Sequence, residues 1–163
     1  MMRISILAIV AGLAWGSGAL ARPMGADLDA VTLEDGTGET VLLGELVEGA
    51  TILHFWATWC APCREELPEL QAFAEAEGLG ERLVLVSVDT AEYGRVAAFL
   101  DDLGVGLSSW RQVEGNVGSV FAILGYPSTV VVDGAGEVLW RRQGAVDWGD
   151  GVEAGEVTDL LEE

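Results

Sequence analysis

The sequence contains no lysine, and its eight basic residues are all arginines, set against 27 aspartates and glutamates. The formal net charge is therefore -19 at pH 7. Binding to nucleic acid needs a basic patch that neutralises phosphates, and this chain has too few cations to build one. Anionic membrane surfaces are disfavoured for the same electrostatic reason. We therefore exclude nucleic acid from the expected partners of this protein.

Cysteine and histidine are also scarce, since Cys60 and Cys63 are the only cysteines and His54 is the only histidine. This composition excludes a scaffold held by several disulfides and a structural zinc site made from four Cys and His ligands of this chain. Half of the 163 residues are hydrophobic, which is enough for the core of one domain. Without internal repeats or low-complexity linkers, residues 22–163 are predicted to form a single domain.

The first 21 residues have the pattern of a secretory signal peptide. Arg3 precedes an uncharged run at 4–20, and Ala19-Leu20-Ala21 has the small-x-small form that signal peptidase cleaves. The apolar centre at 6–14 is shorter than the roughly 18 to 20 residues that span a bilayer. We expect residues 1–21 to direct export to the periplasm or another extracytoplasmic location, with an uncleaved membrane anchor as the alternative.

The hydrophobic pattern predicts an α/β fold. Its elements are a short hairpin and a helical turn within 28–47, strands at 51–56, 83–88, 128–132 and 138–143, and helices at about 62–77, 93–103, 118–124 and 154–161. The order βαβα followed by ββα places helices on a mixed central sheet, with the first hairpin as a lead-in. This order resembles that of thioredoxin.

The main chemical signal is Trp59-Cys60-Ala61-Pro62-Cys63, between a predicted strand and a predicted helix. Cys60 lies at the helix N-terminus, where free N–H groups and the helix dipole favour a thiolate, so Cys60 is the predicted nucleophile. Cys63 lies one turn inside the helix and is placed to attack the mixed disulfide that Cys60 makes with a substrate. An inert structural disulfide and a metal-binding pair are the alternatives.

Four motifs together resemble the TlpA-like family of extracytoplasmic, thioredoxin-fold thiol–disulfide oxidoreductases. They are FWATWCAPCR at 55–64, ELP at 66–68, GYPST at 125–129 and GAVDW at 144–148. The resemblance implies a thioredoxin-like domain with no cofactor other than a redox-active disulfide between Cys60 and Cys63.

The same resemblance implies the partners of the protein. It implies the reduction of disulfides in client proteins of the cytochrome c maturation or copper-site assembly type. Such proteins are recharged by a membrane thiol carrier of the DsbD or CcdA type, and we expect a monomer. Two alternatives are an oxidase that donates its disulfide and a non-enzymatic copper-binding module, because soft thiolates suit Cu(I).

Glu66 is a candidate proton carrier. In a helix that starts near Pro62, it shares one apolar stripe with Cys63, Leu67, Leu70, Phe73 and Ala74. Burial on this stripe should raise the pKa of its carboxyl group, which could then carry the proton that Cys63 loses or gains. The resemblance supports this role. The alternative is an ordinary first-turn acid that the helix dipole favours.

The resemblance also implies a surface that binds the client. Pro127 would be cis and would face the cysteines, presenting the backbone of Tyr126 to an extended client. Trp59, Ala61 and Pro62, which flank the nucleophile, would contribute to the same substrate-binding surface. The alternatives are a plain strand-entry proline at 127 and a simple hydrophobic rim residue at 126.

His54 lies six residues before Cys60, where thioredoxins carry an acid and TlpA-like proteins more often have Asn. Strand alternation places His54 and Trp56 on one face, opposite Phe55. We interpret His54 as a core histidine with satisfied hydrogen bonds. A proton relay, or a copper ligand together with the cysteines, is the alternative.

We predict that the mature protein begins at Arg22, because cleavage follows Ala21 in the signal pattern. N-terminal sequencing of the protein from fractionated cells tests this. An intact N-terminus in the membrane fraction would indicate an anchored form. An intact N-terminus in the cytosol would contradict export.

Overall fold

The computed structural model describes residues 25–149 and 151–162, so the predicted signal peptide at 1–21 lies outside the described residues. In chain order, the described strands and α-helices are β1 (Thr32–Glu34), β2 (Thr40–Leu42), β3 (Thr51–Trp56), α1 (Ala61–Ala76), β4 (Leu83–Ser87), α2 (Tyr93–Leu103), β5 (Ser109–Glu114), α3 (Val117–Phe121), β6 (Ser128–Val132), β7 (Val138–Gln143) and α4 (Val152–Glu162). Over these described ranges, no helix combines the length and the apolar character needed to cross a membrane.

The described strands form one mixed, seven-stranded sheet in the order β2-β1-β5-β4-β3-β6-β7. Strand β4 runs parallel to both β3 and β5, and the parallel pairs are connected through α1 and α2. The pairs β1–β2, β1–β5, β3–β6 and β6–β7 are antiparallel. A parallel pair needs a long crossover, which the helices provide, whereas a tight turn suffices for an antiparallel hairpin. The predicted thioredoxin-like α/β fold is confirmed.

The most apolar segments of the sequence form the centre of the sheet. Every residue of β3 and of β6 is buried. Both strands have neighbours on each side and helices over the sheet faces, which explains their nearly continuous apolar runs. The bounds of β3, α2, β6 and β7 agree with the predicted ones. Helix α1 ends before Gly78, whose φ of +60° suits a residue without a side chain.

Strand β5 was not predicted, because its residues show no clear apolar alternation. Only Ser109 is buried, and most of the other residues of the strand are half-buried. The strand is placed by its neighbours: it pairs with β4 on one side and with β1 on the other. Arg111 also forms an ion pair with Glu34 of β1, at 2.7 Å between Nη2 and Oε1. The lead-in hairpin is therefore joined to the main sheet through β5.

The sheet separates two hydrophobic clusters. One cluster lies under α1, α2 and α4 and contains Trp56, Leu67 and Trp148. The other lies under α3 and contains Phe55 and Phe121, with ring centroids 5.3 Å apart. His54 and Trp56 therefore face α1 and α4, while Phe55 faces the opposite side, as strand alternation predicted.

We predict that Ser109→Ala destabilises the fold by about 1–3 kcal/mol, because it leaves a buried indole N–H without its acceptor. Trp56 Nε1 donates to Ser109 Oγ at 3.0 Å, and both residues are buried. The control is Ser108→Ala at the exposed neighbouring position, which should change stability by less than about 0.5 kcal/mol. Urea unfolding measures both changes. Equal midpoints for the two variants would contradict the role of this hydrogen bond.

Candidate active site

Cys60 and Cys63 form a disulfide at the start of α1, with their sulfurs 2.09 Å apart. Cys60 is the N-cap of the helix, and its Sγ accepts a hydrogen bond from the backbone N–H of Cys63 at 3.3 Å. Cys63 is fully buried, whereas Cys60 keeps 5% of its surface exposed. The helix therefore directs a backbone donor at the sulfur of Cys60, where charge would develop on reduction. Cys60 is therefore nearly buried, although its exposure exceeds that of Cys63.

A buried carboxylate holds the loop that precedes the cysteines. Asp89 accepts hydrogen bonds from the backbone N–H of Thr58 at 2.8 Å and from Thr58 Oγ1 at 2.7 Å. It also accepts one from Ser87 Oγ at 2.8 Å. These contacts connect the end of β4 to the residues just before Cys60. Sequence reasoning missed Asp89, and its position two residues after a buried strand was the available signal.

Apolar groups are exposed beside the disulfide. Trp59 is 67% exposed, and its ring meets the ring of half-buried Tyr126 edge-on at 5.9 Å. Ala61 and Pro62 are also exposed. We call Trp59, Ala61, Pro62 and Tyr126 the apolar rim. The structure thus places the predicted substrate-binding residues on the exposed side of the cysteine pair, with Trp59 and Tyr126 in contact.

Pro127 follows Tyr126 of the apolar rim and is buried. The peptide bond between Tyr126 and Pro127 is cis, as the resemblance implied. The carbonyl oxygen of Pro127 accepts a hydrogen bond from the backbone N–H of Gly144 at 2.8 Å. The proline at the start of β6 is therefore tied to the segment that follows β7.

Glu66 points inward from α1, as predicted. Only 2% of its surface is exposed, and the buried positions of α1 are those of the predicted stripe. Glu66 Oε1 accepts hydrogen bonds from the backbone N–H of Val146 at 3.0 Å and from Trp148 Nε1 at 2.8 Å. Burial raises the pKa of Glu66 from 4.5 to about 7, against the opposing effect of these two donors. The carboxyl group therefore exchanges its proton near neutral pH.

The GAVDW motif at 144–148 makes hydrogen bonds to two residues of the candidate site. The backbone N–H of its first residue, Gly144, donates a hydrogen bond to the carbonyl of Pro127. The backbone N–H of Val146 and the indole N–H of Trp148 donate to Glu66. The motif thus connects the proline at the apolar rim with the carboxyl group behind Cys63. Sequence reasoning identified this motif by resemblance alone, because nothing in its local pattern shows which residue it contacts.

His54 is fully buried beside Glu66. Its Nδ1 lies 3.0 Å from Thr129 Oγ1, and its Nε2 lies 3.9 Å from Glu66 Oε2. Burial lowers the pKa of His54 from 6.5 to about 3, so the ring is neutral at neutral pH. The interpretation of His54 as a satisfied core histidine is wrong for one ring nitrogen, since within the described residues Nε2 has no hydrogen-bond partner.

In the described part of the chain, metal ligands are not grouped around the cysteines. In residues 25–149 and 151–162, no cluster of three or more His, Cys, Asp or Glu side chains could hold a metal ion.

Comparisons with known proteins agree with this geometry. The model of the AhpC/TSA family matches residues 24–141. Thiol-disulfide oxidoreductase ResA from Halalkalibacterium halodurans is 30% identical over 154 residues, which are 89% of this chain and 86% of ResA. ResA from Oceanobacillus iheyensis is 34% identical over 108 residues, which are 66% of this chain but only 56% of that relative.

The fold comparison gives the same result. The crystal structure of StoA from Bacillus subtilis aligns with a TM-score of 0.63 at 24% identity. The alignment covers 82% of this chain and 97% of StoA, and at this identity it shows a shared fold.

We predict that Glu66→Gln removes a loss of stability that the unmodified protein shows as pH rises from about 4.5 to about 7. The unfolded chain ionises this carboxyl near 4.5, whereas the folded chain holds its proton until about pH 7, so deprotonation favours unfolding across this window. Unfolding by denaturant at a series of pH values measures the effect.

The matched control for this prediction is Glu69→Gln, an exposed position one turn further along the same helix. Because Glu69 repels the ionised Glu66, this variant should make the loss of stability smaller without abolishing it. If the curves of Glu66→Gln and of the unmodified protein ran parallel through this window, the raised pKa of Glu66 would be contradicted.

Proposed function

Because the chain is a thioredoxin-fold thiol–disulfide oxidoreductase of the AhpC/TSA family, and one of its TlpA-like members, we propose that it reduces the disulfides of client proteins outside the cytoplasm. The family membership bears out the resemblance that the four motifs indicated. The observation that carries the proposal is the Cys60–Cys63 pair at the N-terminus of α1, with the buried carboxyl of Glu66 one turn behind it.

The proposed reaction starts with the reduced pair. The thiolate of Cys60 attacks one sulfur of a client disulfide, so that a bond between Cys60 and the client forms and the other client sulfur leaves as a thiolate. The thiol of Cys63 then loses its proton and attacks the sulfur of Cys60. This step restores the Cys60–Cys63 disulfide and releases the second client sulfur. Two electrons have passed to the client, whose two sulfurs take up protons.

Glu66 is the proposed acceptor of the proton from Cys63. The two residues are three positions apart on one buried face of α1, which brings their side chains close together. A pKa of about 7 lets the carboxyl group accept this proton and return it at neutral pH. In a site without access to bulk water, such a carboxyl group takes up and returns the proton that solvent would otherwise exchange with the thiol.

The apolar rim is the proposed contact surface for the client. Trp59 offers a large exposed ring next to Cys60, and Tyr126 supports it from the side. Exposed aromatic side chains bind extended peptides with little specificity for sequence, because they offer broad apolar area at a low cost in side-chain entropy.

The proposal includes an extracytoplasmic location and two kinds of partner protein. The signal-like pattern at 1–21 supports an extracytoplasmic protein, where client disulfides persist and need a dedicated reductant. The resemblance implies clients of the cytochrome c maturation or copper-site assembly type. Since each reaction oxidises the protein, a membrane thiol carrier of the DsbD or CcdA type would reduce it again.

We predict that Cys63→Ala accumulates mixed disulfides with clients, whereas Cys60→Ala forms none. The attack by Cys60 still occurs without Cys63, but the resulting bond is not resolved. Non-reducing gels of each variant, incubated with an oxidised model protein, measure the trapped species. Both variants should lose catalytic turnover. Trapping by Cys60→Ala alone would reverse the assignment, and trapping by neither variant would contradict the proposed function.

A further inference from the structure

Two buried polar atoms face each other behind the disulfide. In the part of the chain that the structure describes, His54 Nε2 and Glu66 Oε2 are the buried side-chain nitrogen and oxygen atoms that have no hydrogen-bond partner. They lie 3.9 Å apart, which is about 1 Å longer than a hydrogen bond. An unpartnered buried polar atom costs free energy, so two of them facing each other favour a state in which they bond.

The chemical groups around the pair determine which bond can form. Glu66 Oε1 already accepts from Val146 and Trp148, so Oε2 is the oxygen left for a further donor. On the far side of the imidazole, the hydroxyl of Thr129 meets Nδ1 at 3.0 Å. A hydroxyl can donate to Nδ1, and the ring proton then lies on Nε2, directed at the carboxyl group.

We propose that His54 is a positioning residue for Glu66. When the Glu66 carboxyl group is ionised, the Nε2–H of His54 donates a hydrogen bond to Glu66 Oε2. This inference rests on the proposed function, in which Glu66 accepts the proton of Cys63. The bond holds the carboxylate in place, with both of its oxygens occupied, while it waits for that proton. When Glu66 is protonated, this bond is lost and the two atoms separate. No proton moves through His54.

The hydrogen bond from His54 should lower the pKa of Glu66. A hydrogen bond to an ionised acceptor is about twice as strong as one between neutral groups, so the bond favours the carboxylate. The other groups that face Glu66 are Cys63 and Glu69 on α1 and the two donors of the 144–148 segment. Of these, Glu69 disfavours the carboxylate by charge repulsion. Loss of the His54 donor should therefore raise the pKa of Glu66 further.

The test uses two amide variants that mimic different ring nitrogens. The short amide of His54→Asn replaces Nδ1 and keeps the contact with Thr129, whereas the longer amide of His54→Gln replaces Nε2 and keeps a donor for Glu66. NMR titration of the ¹³C-labelled Glu66 carboxyl in the oxidised protein, assigned with Glu66→Gln, measures the pKa without any substrate. We expect His54→Asn to raise this pKa by about one unit and His54→Gln to leave it within about 0.3 units of the unmodified value.

A third variant keeps the proposal testable if either amide variant fails to fold. Thr129→Val keeps the shape of the side chain but removes the hydroxyl that fixes the ring tautomer, so it should raise the pKa of Glu66 by a smaller amount. The pH profile of disulfide exchange should shift with the titration in each variant.

The outcomes separate this proposal from the proposed function. Equal titrations in His54→Asn, His54→Gln and the unmodified protein would overturn the role of His54, even if exchange were normal. Equal upward shifts in both amide variants would overturn it as well, because they would show that the position of the donor does not matter. Absence of exchange in the unmodified protein would contradict the proposed function and leave the titration result on His54 standing.

Discussion

A carboxyl group that is buried between a helix and a sheet must be given hydrogen bonds, and Glu66 receives them from a distant part of the chain. Burial of an unpaired polar group costs several kcal/mol, by order of magnitude. The donors are the backbone N–H of Val146 and the indole of Trp148. The segment after β7 must therefore return across α1, where the Trp148 ring packs on Phe73 at 4.8 Å between centroids. The path into α4 follows from this requirement.

Local sequence patterns account for much of the fold. Strands β3 and β6 are continuous apolar runs, and α2 has clear helical periodicity, so their bounds could be predicted to the residue. The inward stripe of α1 follows from the same periodicity, which depends on 3.6 residues per turn and on nothing outside the helix. Strand β5 could not be predicted, because its half-buried residues are held by the pairing with β1 and β4 and show no apolar pattern of their own.

In the candidate site, too, local features could be predicted and contacts between distant residues could not. The spacing of Cys60 and Cys63 and the burial of Glu66 are local properties, so the sequence indicated them. The contacts of His54 with Thr129 and with Glu66 join three separate elements, and contacts between residues of different elements leave no trace in a single sequence. The contacts of Asp89 with the loop before the cysteines also join residues 31 positions apart, so only its position after a buried strand could have indicated it.

The connection of Glu66 to the 144–148 segment also bears on the order of folding that we expect. Val146 and Trp148 lie 80 and 82 residues after Glu66, whereas the two cysteines are three residues apart. Contacts between distant residues form late, because the chain entropy of a large loop must first be lost. Because the chain is synthesised from its N-terminal end, the sulfurs of Cys60 and Cys63 can pair while the Glu66 carboxyl group still lacks its hydrogen-bond donors. The proposed proton acceptor would therefore be held in place only after the two cysteines are able to pair.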